Sequence, residues 1–345
     1  MFMKYLCVGA GAIGMYVGGS LDFSHHNVAY LVKSGQVMML SENGILIEDK
    51  NSSKKIANPY VTTKMGRTLL EGYDGLLIAV KSYDTEQILK EISPYKEEIK
   101  CCVCLQNGVE NEKRFSSILG EDKIIYASVT SAIKKVSGNQ IVIEKNRGIG
   151  LSGTGKYLYE VFEQFEVAGL KPMIYDHPLE MKWTKLISNL FSNATSAILN
   201  MTPSEVYSHR ELIKIELMQI KEAISVMNAM GLKMVDLPGI PLKSLAWVID
   251  NLPEPIVFLI LKIMIGSGRG KKLPSLLEDI RKNSKTNEVV FLNGAVSRHA
   301  ELVGLRAPIN KGLTQILESL LDNPQDRAKF SRRPDLLVLE LKKFV

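Results

Sequence analysis

A chain of 345 residues exceeds what one ordinary hydrophobic core holds and suits two domains. Its composition, 46% hydrophobic and 23% charged, excludes a disordered, collagen-like or disulfide-stapled chain and fits a globular protein. The net charge of +6 is modest and spread along the chain, which points away from nucleic acid and suits an enzyme of anionic small molecules. The densest basic clusters, Arg269 with Lys271 and Lys272, and Lys329 with Arg332 and Arg333, are not interleaved with aromatic residues. The apolar run ending at Gly9 is too short for a secretory signal core, and residues 256–265 fall far below the roughly 20 apolar residues that span a bilayer. A cytoplasmic protein with no membrane partner is expected. The four cysteines, Cys7, Cys101, Cys102 and Cys104, read as small core residues in a reducing compartment. The five histidines show no ligand spacing with carboxylates, so no metal is expected.

In chain order, residues 5–8 read as a first strand, 12–21 as the helix after it and 28–32 as a second strand. Residues 75–80, 101–105 and 123–127 are near-continuous apolar runs, the pattern of parallel strands buried on both faces. Alternation over residues 133–151, around Ser137, Gly138 and Asn139, predicts an antiparallel hairpin that finishes the same sheet. From about His177 onward only helical patterns occur, over 179–199, 211–230, 273–282, 288–303 and 310–321. Gly/Pro punctuation at 237–241 and 266–270 separates them. The expected architecture is a Rossmann dinucleotide-binding domain over residues 1–176 followed by an all-helical domain over 177–345. The active site is expected in the cleft between them, outside the carboxyl ends of the strands.

Gly9, Ala10, Gly11, Ala12, Ile13 and Gly14 form a G-x-G-x-x-G fingerprint between the first strand and its helix. Gly9 permits the tight turn, Gly11 admits the pyrophosphate to the backbone, and Gly14 lets the helix pack on the sheet. The N-terminal amides of the helix, including those of Ala12 and Ile13, then face the phosphates. Enzymes of NAD place Asp or Glu at the end of strand two to hold the ribose hydroxyl. Here Leu31 and Val32 are followed by Lys33, a cation suited to the 2′-phosphate of NADP. In the second half, Lys185, Asn189 and Asn193 recur at i, i+4 and i+8, beside an apolar face of Leu186, Leu190, Ala194 and Ala197. Such a stripe lines a cleft or is a solvated helix face.

The segment from Lys182 through Asn189, with Trp183 and Lys185 inside it and Asn193 beyond it, resembles the catalytic helix of the 2-dehydropantoate 2-reductase (ketopantoate reductase) family. Further marks follow in the same order: Val80-Lys81, Leu105-Gln106-Asn107-Gly108, the run from Pro274 to Asp279, the run from Glu288 to Gly294, and Ala307-Pro308-Ile309-Asn310. The resemblance implies that Lys185 is the general acid at the substrate carbonyl. It implies that Glu288 holds a substrate hydroxyl or tunes Lys185, and borders the cofactor. Asn189, Asn193 and Ser275 would hydrogen-bond the substrate. Lys81 and Asn107 would approach the nicotinamide and ribose, with Asn107 also near the reacting carbonyl. Read singly, Glu288 is a dipole-favouring residue, Asn107-Gly108 a turn, and Ser275 a helix start.

Three stretches depart from the family pattern: Val290, where many members carry Asp; residues 283–287, which replace a glycine-containing stretch; and a longer segment over 235–272. The implied reaction is reduction of 2-dehydropantoate to pantoate with NADPH, a step towards coenzyme A. Reduction of another small 2-oxo acid on the same scaffold and a non-catalytic dinucleotide-binding regulator are the alternatives. A homodimer through residues 256–265 is a further expectation.

Overall fold

The computed structural model describes residues 3–263 and 273–345. The basic cluster of Arg269, Lys271 and Lys272, the glycines at 266–270 and the end of the 256–265 apolar stretch lie outside the described residues. The chain divides into two compact units: Met1–Lys182 with Leu237–Ile240, and Trp183–Asp236 with Pro241–Val345. No described helix is long and apolar enough to cross a membrane.

The first unit holds strands β1 (Tyr5–Val8), β2 (Val28–Leu31), β3 (Ile45–Glu48), β4 (Ser53–Ile56), β5 (Tyr60–Thr62), β6 (Gly75–Ile78), β7 (Cys101–Cys104), β8 (Ile124–Val129), β9 (Ala132–Lys135), β10 (Gln140–Lys145), β11 (Ile149–Ser152) and β12 (Pro172–Ile174). Eight of them form one sheet in the order β12-β11-β8-β7-β6-β1-β2-β5. The strands from β5 to β8 in that order are parallel, and β11 runs antiparallel to β8. Strands β1, β2, β6 and β7 are buried at every residue, as continuous apolar runs require when helices cover both faces. All four cysteines are free and buried in these strands, and burial pushes the Cys7 thiol up to about 12. The chain leaves β1 for β2 on one side and returns to lay β6 on the other. That reversal makes a topological switch point at the carboxyl ends of β1 and β6.

The predicted hairpin forms but does not finish this sheet. β9 and β10 pair antiparallel, β10 then pairs parallel with β3, and a separate four-stranded sheet results, ordered β4-β3-β10-β9. Its alternating pattern explains the difference. A strand with one apolar face needs its own layer, here the helix Ala12–Phe23. That helix lies between two sheets, and its adjacent glycines allow it. A Cβ on Gly18 would meet Tyr30 and Cys7 at 3.0 and 3.3 Å, and one on Gly19 would meet Ile47 at 2.6 Å. The Leu237–Ile240 piece also docks here as a closed turn, with the Thr130 hydroxyl donating to the Pro238 carbonyl at 2.8 Å.

The second unit is helical, and no named strand follows β12 among the described residues. Its central helix, Arg210–Ala229, packs against Asn293–Leu302, Pro308–Asp322 and Pro334–Leu341. A buried polar network locks them. Asn293 Nδ2 donates to Gln219 Oε1 and Asn310 Oδ1, both at 2.9 Å, and Asn310 Nδ2 donates to the Gln219 carbonyl and to Glu222. Glu222 also accepts the backbone amides of Ile309 and Asn310, satisfying the orphan donors of the Pro308–Asp322 helix. Burial pushes its carboxyl up, and those hydrogen bonds pull it back.

Two expected helices are broken. Residues 179–199 form Pro178–Leu190 and then Asn193–Leu199, parted by Ser192 at φ +54°. A left-handed residue other than glycine costs about 1–2 kcal/mol. The fully buried Glu216 carboxylate offsets it by accepting the Ser192 amide at 2.7 Å and the Thr195 hydroxyl. Lys185 and Asn189 therefore keep their i, i+4 relation, whereas Asn193 opens a different helix. Over 288–303, Glu288 precedes a 3-10 turn at Val289–Phe291, and the helix proper is Asn293–Leu302.

Candidate active site

Gly9 follows β1 at φ +101°, and its amide donates to the Leu31 carbonyl at the end of β2. A Cβ at Gly9 would lie 2.8 Å from Val80 Cγ1, and one at Gly14 only 1.9 Å from the Gly9 carbonyl oxygen. A Cβ at Gly11 would meet no heavy atom within 4 Å. Gly11 is also the N-cap of the 12-residue Ala12–Phe23 helix, which has no side-chain cap and no acid in its first turn. The first-turn amides of Ala12, Ile13 and Gly14 thus stand beside open space at Gly11. An uncapped helix N-terminus with such space fits a pyrophosphate.

The other cofactor candidates lie along the same sheet edge. The Ala79 amide bonds the Val8 carbonyl and the Leu105 amide bonds the Ile78 carbonyl, both at 3.0 Å, so the carboxyl ends of β7, β6, β1 and β2 are level. Asn107, Lys81, the glycine turn and Lys33 follow these four strands in turn, over about 14 Å at the usual strand spacing. Lys33 is exposed at the N-cap position of the helix Ser34–Asn43, beside Gly35, where a Cβ would again meet nothing within 4 Å.

The half-buried Lys81 and Asn107 are joined through a polar network beneath them. Ser82 Oγ donates to the Asn107 carbonyl at 3.1 Å, and Asn111 Nδ2 donates to that carbonyl and to Ser82 Oγ, both at 3.0 Å. Thr85 donates to Asn111 Oδ1, and Gln106 Nε2 donates to Thr85. Ser82, Thr85, Gln106 and Asn111 are all buried, so the loops after β6 and β7 form one rigid piece.

In the second unit, Lys185 and Asn189 are half-buried on one face of Pro178–Leu190. Trp183, two residues before Lys185, meets His299 edge-on with ring centroids 5.2 Å apart, so this helix packs on the one that follows Glu288. Glu288 is 2% exposed. Asn287 Oδ1 accepts the Val289 amide at 2.9 Å, an Asx turn that fixes the backbone at Glu288. Asn193 is buried, and its Oδ1 accepts the Leu276 amide at 3.1 Å, which brings it to the helix that the exposed Ser275 begins. Asn283 has φ +54° just past that helix, so asparagine here adopts the left-handed C-terminal conformation usually given to glycine. The 283–287 stretch thus begins on a left-handed residue and ends on the Asx turn at Asn287 that leads into Glu288.

Models of known families match both units. The model described as Ketopantoate reductase PanE/ApbA covers residues 5–152, and the one described as Ketopantoate reductase PanE/ApbA C terminal covers residues 179–320. The chain belongs to the ketopantoate reductase family, a family of oxidoreductases. It is 28% identical over 315 residues to the 2-dehydropantoate 2-reductase of Pyrococcus horikoshii, spanning 89% of this chain and 94% of the relative. Among solved structures it is similar to a PanE/ApbA family ketopantoate reductase from Ralstonia eutropha, with TM-score 0.79 and 22% identity over 94% of this chain and 100% of that one. It is also similar to D-mandelate dehydrogenase solved with NADH and anilino(oxo)acetate, with TM-score 0.76 and 17% identity over 94% and 100% of the two chains. These structural likenesses establish the fold that the family marks imply: a parallel-sheet α/β domain followed by a helical one.

Within the first unit the structure brings together Gly9, Gly11, Ala12, Ile13, Gly14, Lys33, Lys81 and Asn107. Within the second it gathers Asn193 with Ser275, and packs the helix of Lys185 and Asn189 on that after Glu288. Two features escape sequence reading. Lys135 of β9 donates to the Ala10 carbonyl at 3.2 Å, placing an ammonium at the fingerprint turn from 125 residues away. Lys182 forms a buried ion pair with Glu112. Neither has a local signal, because each contact joins segments that no periodicity relates. Among the described residues no three His, Cys, Asp or Glu side chains converge as a metal site.

Proposed function

We propose that the protein reduces 2-dehydropantoate to pantoate with NADPH. The observation that carries this reading is the open glycine cradle in line with Lys33, Lys81 and Asn107. Family membership and the Lys185–Asn189 stripe support it further. Bound NADPH supplies the hydrogen and electron pair that form the new C–H bond at the keto carbon. The Lys185 ammonium gives the proton that forms the O–H bond, so the carbonyl gains two hydrogens and the lysine leaves neutral. Asn189, Asn193 and Ser275 bind the substrate carboxylate. With its Oδ1 taken by Leu276, Asn193 offers only its Nδ2 donors, the polarity a carboxylate needs. Glu288 accepts the substrate hydroxyl, held by the Asx turn of Asn287. Asn107, on its rigid loop, orients the carbonyl. Substrate and cofactor are both anionic, which agrees with the positive balance of the chain.

Lys33 and Lys135 supply positive charge for the cofactor phosphates, with Lys33 on the 2′-phosphate. Lys33→Glu is expected to lower kcat/KM for NADPH at least ~10-fold while leaving or improving that for NADH. An unchanged preference would remove Lys33 from this role.

A second reading, reduction of another 2-oxo acid, is favoured by the half-buried Val290 two residues beyond Glu288. An apolar side chain there suits a more apolar substituent on the substrate. Oxidation of NADPH across a panel of 2-oxo acids, aliphatic, hydroxylated and aromatic, separates the two. The highest kcat/KM with 2-dehydropantoate supports the first reading, preference for another acid supports the second, and no oxidation with any acid overturns both.

A further inference from the structure

A buried ion pair lies under the Asn107 turn. Lys182 Nζ sits 2.7 Å from Glu112 Oε1 and donates to the carbonyls of Gln106 at 2.7 Å and Ala127 at 3.2 Å. The two side chains are 2% and 1% exposed. The two carbonyls take two of the three ammonium donors, and Glu112 meets the ammonium as a close opposite charge. No hydrogen-bond donor is aligned on either Glu112 oxygen among the described residues, so Lys182 alone compensates that charge. Burying two charges costs desolvation that their attraction barely repays, and a well-packed apolar pair would hold the fold equally well. The reason for the pair therefore lies in what it fixes.

It fixes the backbone on both sides of Asn107. The carbonyl before Asn107, that of Gln106, is held by Lys182. The carbonyl of Asn107 itself is held by Ser82 and Asn111. Glu112 directly follows Asn111, so one short segment, Asn111-Glu112, controls both carbonyls, one directly and one through Lys182. With both flanking peptides pinned, the backbone dihedrals at Asn107 are held, and with them the direction of its Cα–Cβ bond. Lys182 also bridges the chain just past β7 to β8, through Gln106 and Ala127. The mechanism above uses neither Lys182 nor Glu112.

We propose that Lys182 and Glu112 are positioning residues that aim Asn107 for the reaction. This rests on the reading of Asn107 as the group that orients the carbonyl. The test compares wild type, Asn107→Ala, the charge-free double variant Lys182→Met/Glu112→Gln, and the combination of all three changes. Removing both charges together leaves no stranded ion, so the double variant is expected to melt close to wild type and to bind NADPH within about twofold of it. Its kcat is expected to fall at least ~10-fold, the scale of a small misplacement at a reacting centre. In the Asn107→Ala background the same two changes are expected to cost nothing further, because the group they aim is already gone.

Wild-type kcat in the double variant, or losses that multiply in the Asn107→Ala background, would overturn the proposal. Full activity in Asn107→Ala itself would instead overturn the reading on which it rests. If the double variant does not fold, Lys182→Gln/Glu112→Gln, equally free of a stranded ion, carries the same comparison, and unchanged kcat there sinks the positioning role.

Discussion

Lys185→Ala is expected to lower kcat by ~100-fold or more, the usual scale for a lost general acid, with NADPH affinity near wild type. The side chain is half-buried on a helix whose neighbours Leu186, Ile187 and Leu190 are core residues, so truncation at this position leaves the packing face intact. The loss therefore belongs to chemistry and not to folding. Lys185→Arg sharpens the point. Arginine keeps the positive charge but holds its proton far more tightly. If Lys185 acts by donating a proton, the arginine variant remains within about tenfold of the alanine variant. If it acts through charge alone, arginine restores most of the rate. Steady-state rates of NADPH oxidation with saturating 2-dehydropantoate distinguish these outcomes, and near-normal turnover in Lys185→Ala would remove the residue from catalysis.

The second large effect concerns two glycines of one turn that fail differently when substituted. At Gly14 an added Cβ would lie 1.9 Å from the Gly9 carbonyl oxygen and 3.0 Å from its carbon. Neither atom is the end of a flexible side chain, so the helix start or the turn must move. Gly14→Ala is expected to destabilise the fold by about 1–3 kcal/mol and to abolish measurable NADPH binding. At Gly11 an added Cβ meets nothing within 4 Å. Gly11→Ala is expected to fold as stably as wild type, while its methyl occupies the pyrophosphate space and weakens NADPH binding at least ~10-fold. Thermal melts with fluorescence titration of NADPH check the pair. Wild-type NADPH affinity in Gly11→Ala would show that the cradle is not the cofactor site.

The parts of this molecule legible from sequence are those governed by neighbours along the chain. The all-apolar runs at β1, β2, β6 and β7 announce strands buried on both faces, and the spacing of Gly9, Gly11 and Gly14 announces the turn that follows β1. Lys185 and Asn189 keep one helix face because a single helix holds both. Asn193 does not join them, since Glu216, 24 residues beyond Ser192, stabilises the left-handed residue that breaks the helix. Periodicity carries no trace of a buried carboxylate that arrives from another element. The hairpin of β9 and β10 was visible as a hairpin, but its partner β3 lies about ninety residues earlier and sends it to a second sheet.

The same logic sorts the family marks. Asn293 and Asn310, from two of the marked stretches, turn out to tie helices together around Gln219 and Glu222. Asn283, in a stretch that departs from the family pattern, takes a left-handed backbone because asparagine tolerates that region. Lys135 and Lys182 were illegible for a further reason. A lysine in a strand or a helix reads as a solvated charge until the structure shows which carbonyl it meets.

The measurement that bears most directly on the account is a single-turnover reaction of enzyme, NADPH and 2-dehydropantoate, with the loss of reduced nicotinamide and the product both quantified. One pantoate is expected for each NADPH consumed, at a rate that Lys185→Ala lowers by ~100-fold or more. NADPH that binds but is not consumed, with this acid or any other small 2-oxo acid, would contradict it.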